Sequence, residues 1–305
     1  MIDSPQRKFS SVLVICTRNR SNDISECLTT VFNQSAIPTQ ILIVDSSDSD
    51  ETEMLCQDLI KIRKLKNLVY TRSEKGLTYQ RNVGLGLIQS SFDFVHFIDD
   101  DVLLEPTYIE MINSALQSNS KLVGASGMVL GGSRRPPRLT ARLTLRDSKI
   151  PGKVLASGYN VGAHETNETC FLDWMPGCSM SFRLTSIKGL LFDERRSGYA
   201  LGEDVDFGLK ASARGLLQHV PEAKLVHKLS PVNRLNSVRL AEMGVRHRWQ
   251  LAVDFPSKVH KVAVIYSSLA TCLSRAIKSA LLRNPIGIKC AIAEIVTIIK
   301  CSVGR

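Results

Sequence analysis

A rhythm in the first hundred residues limits most strongly what this chain can fold into. Short runs that are apolar at almost every position recur: VLVIC at 12–16, ILIV at 41–44, LVY at 68–70 and VHFI at 95–98. Between them lie stretches whose apolar residues fall at helical spacing. In SNDISECLTTVFNQ, Ile24, Leu28, Val31 and Phe32 share one face behind polar starters. ETEMLCQDLIKIRKL and LTYQRNVGLGLIQS read as helices too, the second in spite of its glycines. Runs this short and without alternation suit strands covered on both faces. The prediction is an α/β fold, a mostly parallel sheet sandwiched by helices. In such sheets ligands sit beyond the carboxyl ends of the strands. Three of those ends carry polar clusters, TRNR at 17–20, DSSDSD at 45–50 and DDD at 99–101, which are expected to line one crevice.

The pattern changes further on. Residues 131–150, GGSRRPPRLTARLTLRDSKI, are rich in Gly, Pro and Arg and are expected to form a loop or excursion. CFLDWMPGCSMSFR, LLFDERRSGYALGEDVDFGLKASARG and AKLVHKLSP then read as turns and shorter strands. After about residue 235 the chain reads as helical. The expected domains are therefore 1–235, bearing the sheet, and 236–305, a basic amphipathic helical region.

Charge separates the same two parts. The chain carries +10 overall. From Pro256 onward eight basic residues (Lys258, Lys261, Arg275, Lys278, Arg283, Lys289, Lys300 and Arg305) face one acid, Glu294, a balance of +7 that leaves about +3 for the rest. The tail, rather than the whole, needs a partner. It lacks the interleaved aromatics that stack on bases, so no nucleic acid is expected. The start, MIDSPQRKFSS, has no apolar h-region and is not expected to be a signal peptide. Eight scattered cysteines without a CxxC pair argue for reduced thiols in a cytosolic protein.

Asp99, Asp100 and Asp101 emerge from a core strand, where adjacent like charges are costly to bury without compensation. A solvated turn or a charged helix start would be the plain explanation. A hard divalent cation, Mg²⁺ or Mn²⁺, accompanied by substrate phosphates would supply the missing positive charge. Glu203 and Asp204, in GEDVDF, stand either as acids favouring a helix start or as a mounted base. His96 lies inside a strand and reads as a core histidine.

In the order VLVICTRNR, CLTTVFNQS, ILIVDSSDSDET, GLTYQRNVGL, FIDDD, MPGCSMSFR, LFDE and GEDVDFGLKASARG, residues 10–230 resemble the family 2 glycosyltransferases of GT-A (Rossmann-like) fold. That resemblance implies transfer of a sugar from a nucleotide-diphosphate donor with inversion. It places Thr17, Arg18 and Arg20 by the nucleotide, Asp45 on its base and Arg81 against it. Asp99 falls near ribose and metal, Asp101 on the metal, and Asp100 either beside the nucleotide or pointing elsewhere. It implies Mn²⁺ or Mg²⁺ as cofactor, with His227 completing the metal shell. It makes Asp204 the base that activates the acceptor hydroxyl, with Glu203 beside it. Trp174, Gly177 and Cys178 match the acceptor-side turn, with a plain core tryptophan as the alternative for Trp174. Asp206 is expected to support its helix or a nearby basic residue. The sequence departs from the family at Ser46, where a second acid is common, and at Arg18, where an aromatic is common.

Residues 258–283 read as one amphipathic helix, with Val262, Ile265, Leu269, Leu273, Ala276 and Ala280 on its apolar side; a second apolar stretch follows Asn284-Pro285. Neither reaches the ~18 to 20 uninterrupted apolar residues of a membrane span. Contact with an anionic membrane surface is expected, hence a cytoplasmic enzyme peripheral at the inner face of the membrane; packing on the catalytic domain or another subunit is the alternative. The acceptor is expected to be a glycan or lipid-linked precursor of a polysaccharide. HRW at 247–249 lacks the glutamine of processive synthases, so a non-processive enzyme is expected. Two other readings remain: a sugar-phosphate nucleotidyltransferase, disfavoured because CTRNRSND lacks a Gly-rich loop, and a membrane-surface binding protein with a degenerate transferase domain.

Overall fold

A computed structural model describes residues 9–131, 136, 138–163, 166–196, 199–230 and 236–304. The chain divides into two compact units, Met1–Ser133 with His164–Ser230, and Arg134–Ala163 with Pro231–Arg305. Residues 134–163, which the sequence pattern assigns to the sheet-bearing part, group instead with the C-terminal helices.

The first unit opens with strand β1 (Ser11–Thr17), helix α1 (Ser21–Phe32), β2 (Gln40–Asp45), α2 (Glu51–Arg63), β3 (Leu68–Arg72), α3 (Leu77–Leu87) and β4 (Phe94–Asp99). β1 pairs in parallel with β2 and β4, and β2 with β3. Apolar residues bury the sheet on both faces, Leu13 and Ile15 on one and Val12 and Val14 on the other. Gly84 explains how α3 tolerates its glycines: a Cβ there would lie 2.7 Å from Val14 Cγ1, so the missing side chain lets the helix press on β1.

The other half of the sheet is mixed. It comprises β5 (Val102–Leu104), β6 (Leu122–Leu130), β7 (Cys170–Leu172), β8 (Met180–Arg183) and β9 (Leu216–His227), with α4 (Tyr108–Ser118) between β5 and β6. The order across the sheet is β3-β2-β1-β4-β8-β6-β9-β5, with β7 beside β9. β8 runs antiparallel to both β4 and β6, which makes the sheet mixed on this side. Antiparallel pairing of β5 with β9 sets Val102 opposite His227.

The second unit carries α5 (Leu139–Leu143), inside the stretch expected to be a loop, then α8 (Ser237–Asp254), α9 (Lys261–Leu281) and α10 (Pro285–Ser302). α6 (Leu184–Ile187) and α7 (Glu203–Ser212) belong to the first unit. Much of GGSRRPPR, at 132–135 and 137, lies outside the described residues. Tyr159 and Thr271 bond at 2.9 Å, and the Arg248 guanidinium lies 4.2 Å over the Tyr159 ring, tying residues 134–163 to α8 and α9.

Candidate active site

The carboxyl ends of β1, β2 and β4 are neighbours, so the loops at 17–20, 45–50 and 99–101 meet. The first two lock together. Asn19, held at φ 55, donates its N–H to Ser47 Oγ at 2.7 Å and its Nδ2 to Asp48 at 2.9 Å. Asp48 returns its N–H to Asn19 Oδ1 at 2.8 Å. Arg18 and Lys75 reach Asp48 at 3.2 and 2.7 Å. Hydrogen bonds from Asn19, then Lys75 and Arg18, hold the Asp48 carboxyl below the usual carboxylate range.

The three acids of DDD face different ways. Asp100 turns inward, accepting from Thr17 Oγ1 at 2.7 Å and Arg20 Nη1 at 2.8 Å. Burial pushes its carboxyl up to about 6 against those bonds. Asp101 accepts the Ser230 N–H at 2.8 Å, and its Oδ1 lies 3.0 Å from His227 Nε2. Burial acts to raise the Asp101 carboxyl, but the His227 contact and the Ser230 N–H outweigh it, and the net shift is down. Asp99 Oδ2 lies 3.8 Å from the same imidazole nitrogen. One ligand atom from each of Asp99, Asp101 and His227 fits within 4.8 Å of the other two. Two carboxylate oxygens and an imidazole converging from one strand end and the facing end of β9 suit a divalent cation.

Arg81 is the hub beneath this group. Its guanidinium reaches Asp99 Oδ1 at 3.2 Å, donates to the Gly177 carbonyl at 3.0 Å and contacts Glu203 Oε1. Glu203 and Asp204 open α7 behind Gly202, which stands at φ 78. Asp204 accepts the N–H of Gly177 at 3.1 Å and its own neighbour's, Val205, at 2.8 Å. Burial raises both carboxyls of this pair, with Arg81 pulling Glu203 the other way and the two N–H bonds opposing it at Asp204. Asp206 is wholly buried with Lys210 Nζ at 2.6 Å and Arg196 at 3.6 Å. A continuous polar chain therefore runs from Asp204 through Gly177 and Arg81 to Asp99, and on to His227, Asp101 and Arg20.

Several residues that the resemblance assigns to ligands are engaged with partners inside the protein. Asp45 was expected on a base, but it is 0% exposed, with Oδ1 accepting from the Ser47 N–H and Oγ and Oδ2 from Tyr70 Oη at 2.9 Å. Arg81 was expected against a nucleotide; its side chain is 2% exposed and spent on acids and a carbonyl. Asp100 was expected beside the nucleotide, and both its oxygens are engaged by Thr17 and Arg20. Trp174 and Cys178 are buried, and burial drives the Cys178 thiol well up. Gly177, the third acceptor-side residue, donates its N–H to Asp204. A Cβ on it would lie 3.0 Å from Glu203 Oε1 and 3.2 Å from Arg81, so the turn needs glycine.

The sequence reading overlooked Gln80 and Asn82, which flank Arg81. Gln80 Nε2 bridges the Thr17 and Val44 carbonyls at 2.9 and 2.8 Å, clamping the ends of β1 and β2. Asn82 bonds the Phe192 carbonyl at 3.0 Å and Glu194 at 2.7 Å. Three successive polar residues in a helix that presses on the sheet were the available signal.

The family model described as Glycosyl transferase family 2 matches residues 12–183. The chain belongs to that family. An uncharacterized glycosyltransferase of Haemophilus influenzae is 23% identical over 230 residues, 71% of this chain and 64% of that protein. A glucosyl-dolichyl phosphate glucuronosyltransferase of Haloferax volcanii is 28% identical over 121 residues, 39% of this chain and 37% of that one. The chain thus spans less than two thirds of either relative. Among solved structures, GalNAc-T7 with UDP, GalNAc and Mn²⁺ superposes with a TM-score of 0.61 at 14% identity, over 97% of this chain and 58% of that one. The mannosyltransferase PcManGT of Pyrobaculum calidifontis, in complex with GDP-Man and Mn²⁺, gives 0.59 at 14% identity, over 99% and 89%. At such identities the likeness is one of fold, and the fold is the GT-A fold of glycosyltransferases.

Proposed function

We propose that this chain is an inverting, non-processive glycosyltransferase that moves one sugar from a nucleotide diphosphate to a hydroxyl of a lipid-linked or polysaccharide-precursor acceptor. One observation supports this most: the polar chain that couples the cation-suited trio of Asp99, Asp101 and His227 to Asp204 through Arg81 and Gly177. Asp99, Asp101 and His227 would hold Mn²⁺ or Mg²⁺, which when bound supplies positive charge against the leaving diphosphate. Arg20, beside Asp100 and Asp101, and the partly exposed Arg18 border the same loops and suit phosphate. Asp204 takes the proton of the acceptor hydroxyl while that oxygen bonds to the anomeric carbon and the bond to the diphosphate breaks. Two N–H groups fix its position, and its raised pKa makes it a stronger base than an ordinary carboxylate. A nucleotide-sugar donor accords with UDP in GalNAc-T7 and GDP-Man in PcManGT, and a lipid-linked acceptor with the name of the Haloferax relative.

The test is a panel of UDP- and GDP-sugars assayed with Mn²⁺, the product's anomeric configuration being read by NMR. Asp204→Asn is expected to lower kcat by roughly 10² to 10⁴ with the donor KM kept. Unchanged turnover of that variant with the preferred donor, or a product of retained configuration, overturns the proposal.

A further inference from the structure

The helical unit buries the side of its helices that water would normally meet. Besides Val264, α9 turns Ser267, Ser268, Thr271, Cys272 and Ser279 inward. It leaves Val262, Tyr266, Leu269, Leu273, Ile277 and Leu281 exposed, Val262 and Leu281 at 79% and 78%. These six recur at intervals of three and four and so form a stripe. α10 is similar: Cys290, Ala291, Glu294, Thr297 and Ile298 are buried, while Ile288, Ile292, Ile295, Val296 and Ile299, and Val303 just past its end, are exposed. Even Glu294, the only acid of the last fifty residues, is turned inward, with Arg275 at 3.4 Å and Cys272 Sγ at 3.4 Å. α8 packs against both helices, and Arg248 of α8 meets Ser268 at 3.4 Å on the inward side of α9. Tyr266 Oη donates to the Leu143 carbonyl at 3.2 Å, which brings the exposed Leu139 and Leu143 of α5 to the α9 stripe. Singly exposed leucines are ordinary; two whole stripes opposite faces that bury mostly Ser, Thr, Cys and Glu are not.

Charge decides what covers them. Lys278 lies three residues before Leu281, Lys289 three before Ile292 and Lys300 four after Val296, and all three are exposed. Each therefore borders a stripe, where its stem can lie on apolar surface and its ammonium reach outward. In a second copy the same face would present the same lysines, and the one acid of residues 256–305 is buried. No helix among the described residues is long and apolar enough to cross a membrane. We propose that α9 and α10 lie in the surface of an anionic lipid bilayer. Their apolar stripes enter the boundary between headgroups and acyl chains, and Lys278, Lys289 and Lys300 sit among the headgroup phosphates.

Co-sedimentation of the full chain with phosphatidylcholine vesicles, with and without phosphatidylglycerol, tests this in the absence of any sugar donor, so its outcome is separate from that of the transferase reading. Binding is expected to the anionic vesicles, to weaken with salt, and to fall about fivefold for each of Lys278→Gln, Lys289→Gln and Lys300→Gln. Leu273→Glu with Ile292→Glu is expected to abolish it while leaving the circular dichroism and melting temperature intact, since both side chains are exposed. Absence of binding, or equal binding to neutral vesicles, overturns the proposal. So does sedimentation equilibrium showing a dimer that the paired glutamates dissociate, which would assign the face to a second copy.

Discussion

Replacing Arg81 with Met should unsettle the fold as well as the chemistry, and the size of the effect follows from burial. The Arg81 and Glu203 side chains are 2% and 6% exposed, so their contact belongs with interior ion pairs rather than surface ones. Removing one partner of such a pair leaves the other charge uncompensated and costs roughly 3–5 kcal/mol. Asp99, at 30% exposure, loses a partner too but keeps access to solvent, and adds at most about 1 kcal/mol. Against a domain stability of about 5–15 kcal/mol this is a large share. At about 2–4 °C per kcal/mol for a unit of this size, the midpoint of melting should drop by about 6–24 °C. The sign with pH is also fixed. Burial raises the Glu203 carboxyl in the folded state, so its contribution is full at low pH and is lost as pH rises through the folded value. Arg81 is the group that moderates this loss. The gap between Arg81→Met and wild type should therefore be wider near pH ~9 than near pH ~6. Adding Glu203→Gln to Arg81→Met should recover part of the stability, because the stranded charge is gone. Urea denaturation of the four proteins of this cycle at both pH values measures each term. A single variant within about 1 kcal/mol of wild type at the higher pH, or a double variant no better than the single, would refute the assignment of Arg81 as counter-ion.

Three further outcomes are expected. Tyr70→Phe should lose about 1.5–3 kcal/mol in urea denaturation, the worth of a hydrogen bond to a charged group, because Tyr70 Oη donates to the buried Asp45. Gly177→Ala should destabilise by about 1–3 kcal/mol by the same measure, since the added Cβ meets Glu203 Oε1 at 3.0 Å. His227→Ala should weaken Mn²⁺ binding, followed by calorimetry, by more than the roughly 10- to 100-fold that losing an outer-shell partner costs; unchanged affinity would remove His227 from the cation group.

What the sequence discloses here depends on whether the cause is local. The strands β1 to β4 and the helices between them are legible because each carries its own period. β8 is only Met180–Arg183, and nothing in four residues says that it runs against its neighbours. β9 contains Pro221, which argues against a regular interior strand, and the structure reconciles this with a register shift opposite Gly127 and Met128. The roles expected of Asp45 and Arg81 rest on the resemblance, and the string does not disclose what else they touch. Their partners are Tyr70, hidden in the apolar run LVY, and Glu203, more than a hundred residues away. His227 is a similar case: it reaches the acids because β5 sets Val102 opposite it, a pairing between segments over a hundred residues apart.

The acidic triplet shows the same limit at closer range. Read as a string, DDD is one patch of like charge in need of one cation. In space, side chains leaving a strand end alternate in direction, so consecutive residues need not share a neighbour. Asp100 goes down to Thr17 and Arg20, Asp99 is held by Arg81, and Asp101 is fixed by the Ser230 N–H. Only Asp99 and Asp101 then offer an oxygen to the place that His227 also faces. The middle acid is what allows the outer two to do this. By drawing Arg20 to 2.8 Å from itself and 3.8 Å from Asp101, it keeps a guanidinium beside the pair rather than between them. The repulsion that makes the triplet look improbable as sequence is relieved by four different partners, two of which are arginines that the alignment of β1 and α3 on the sheet delivers.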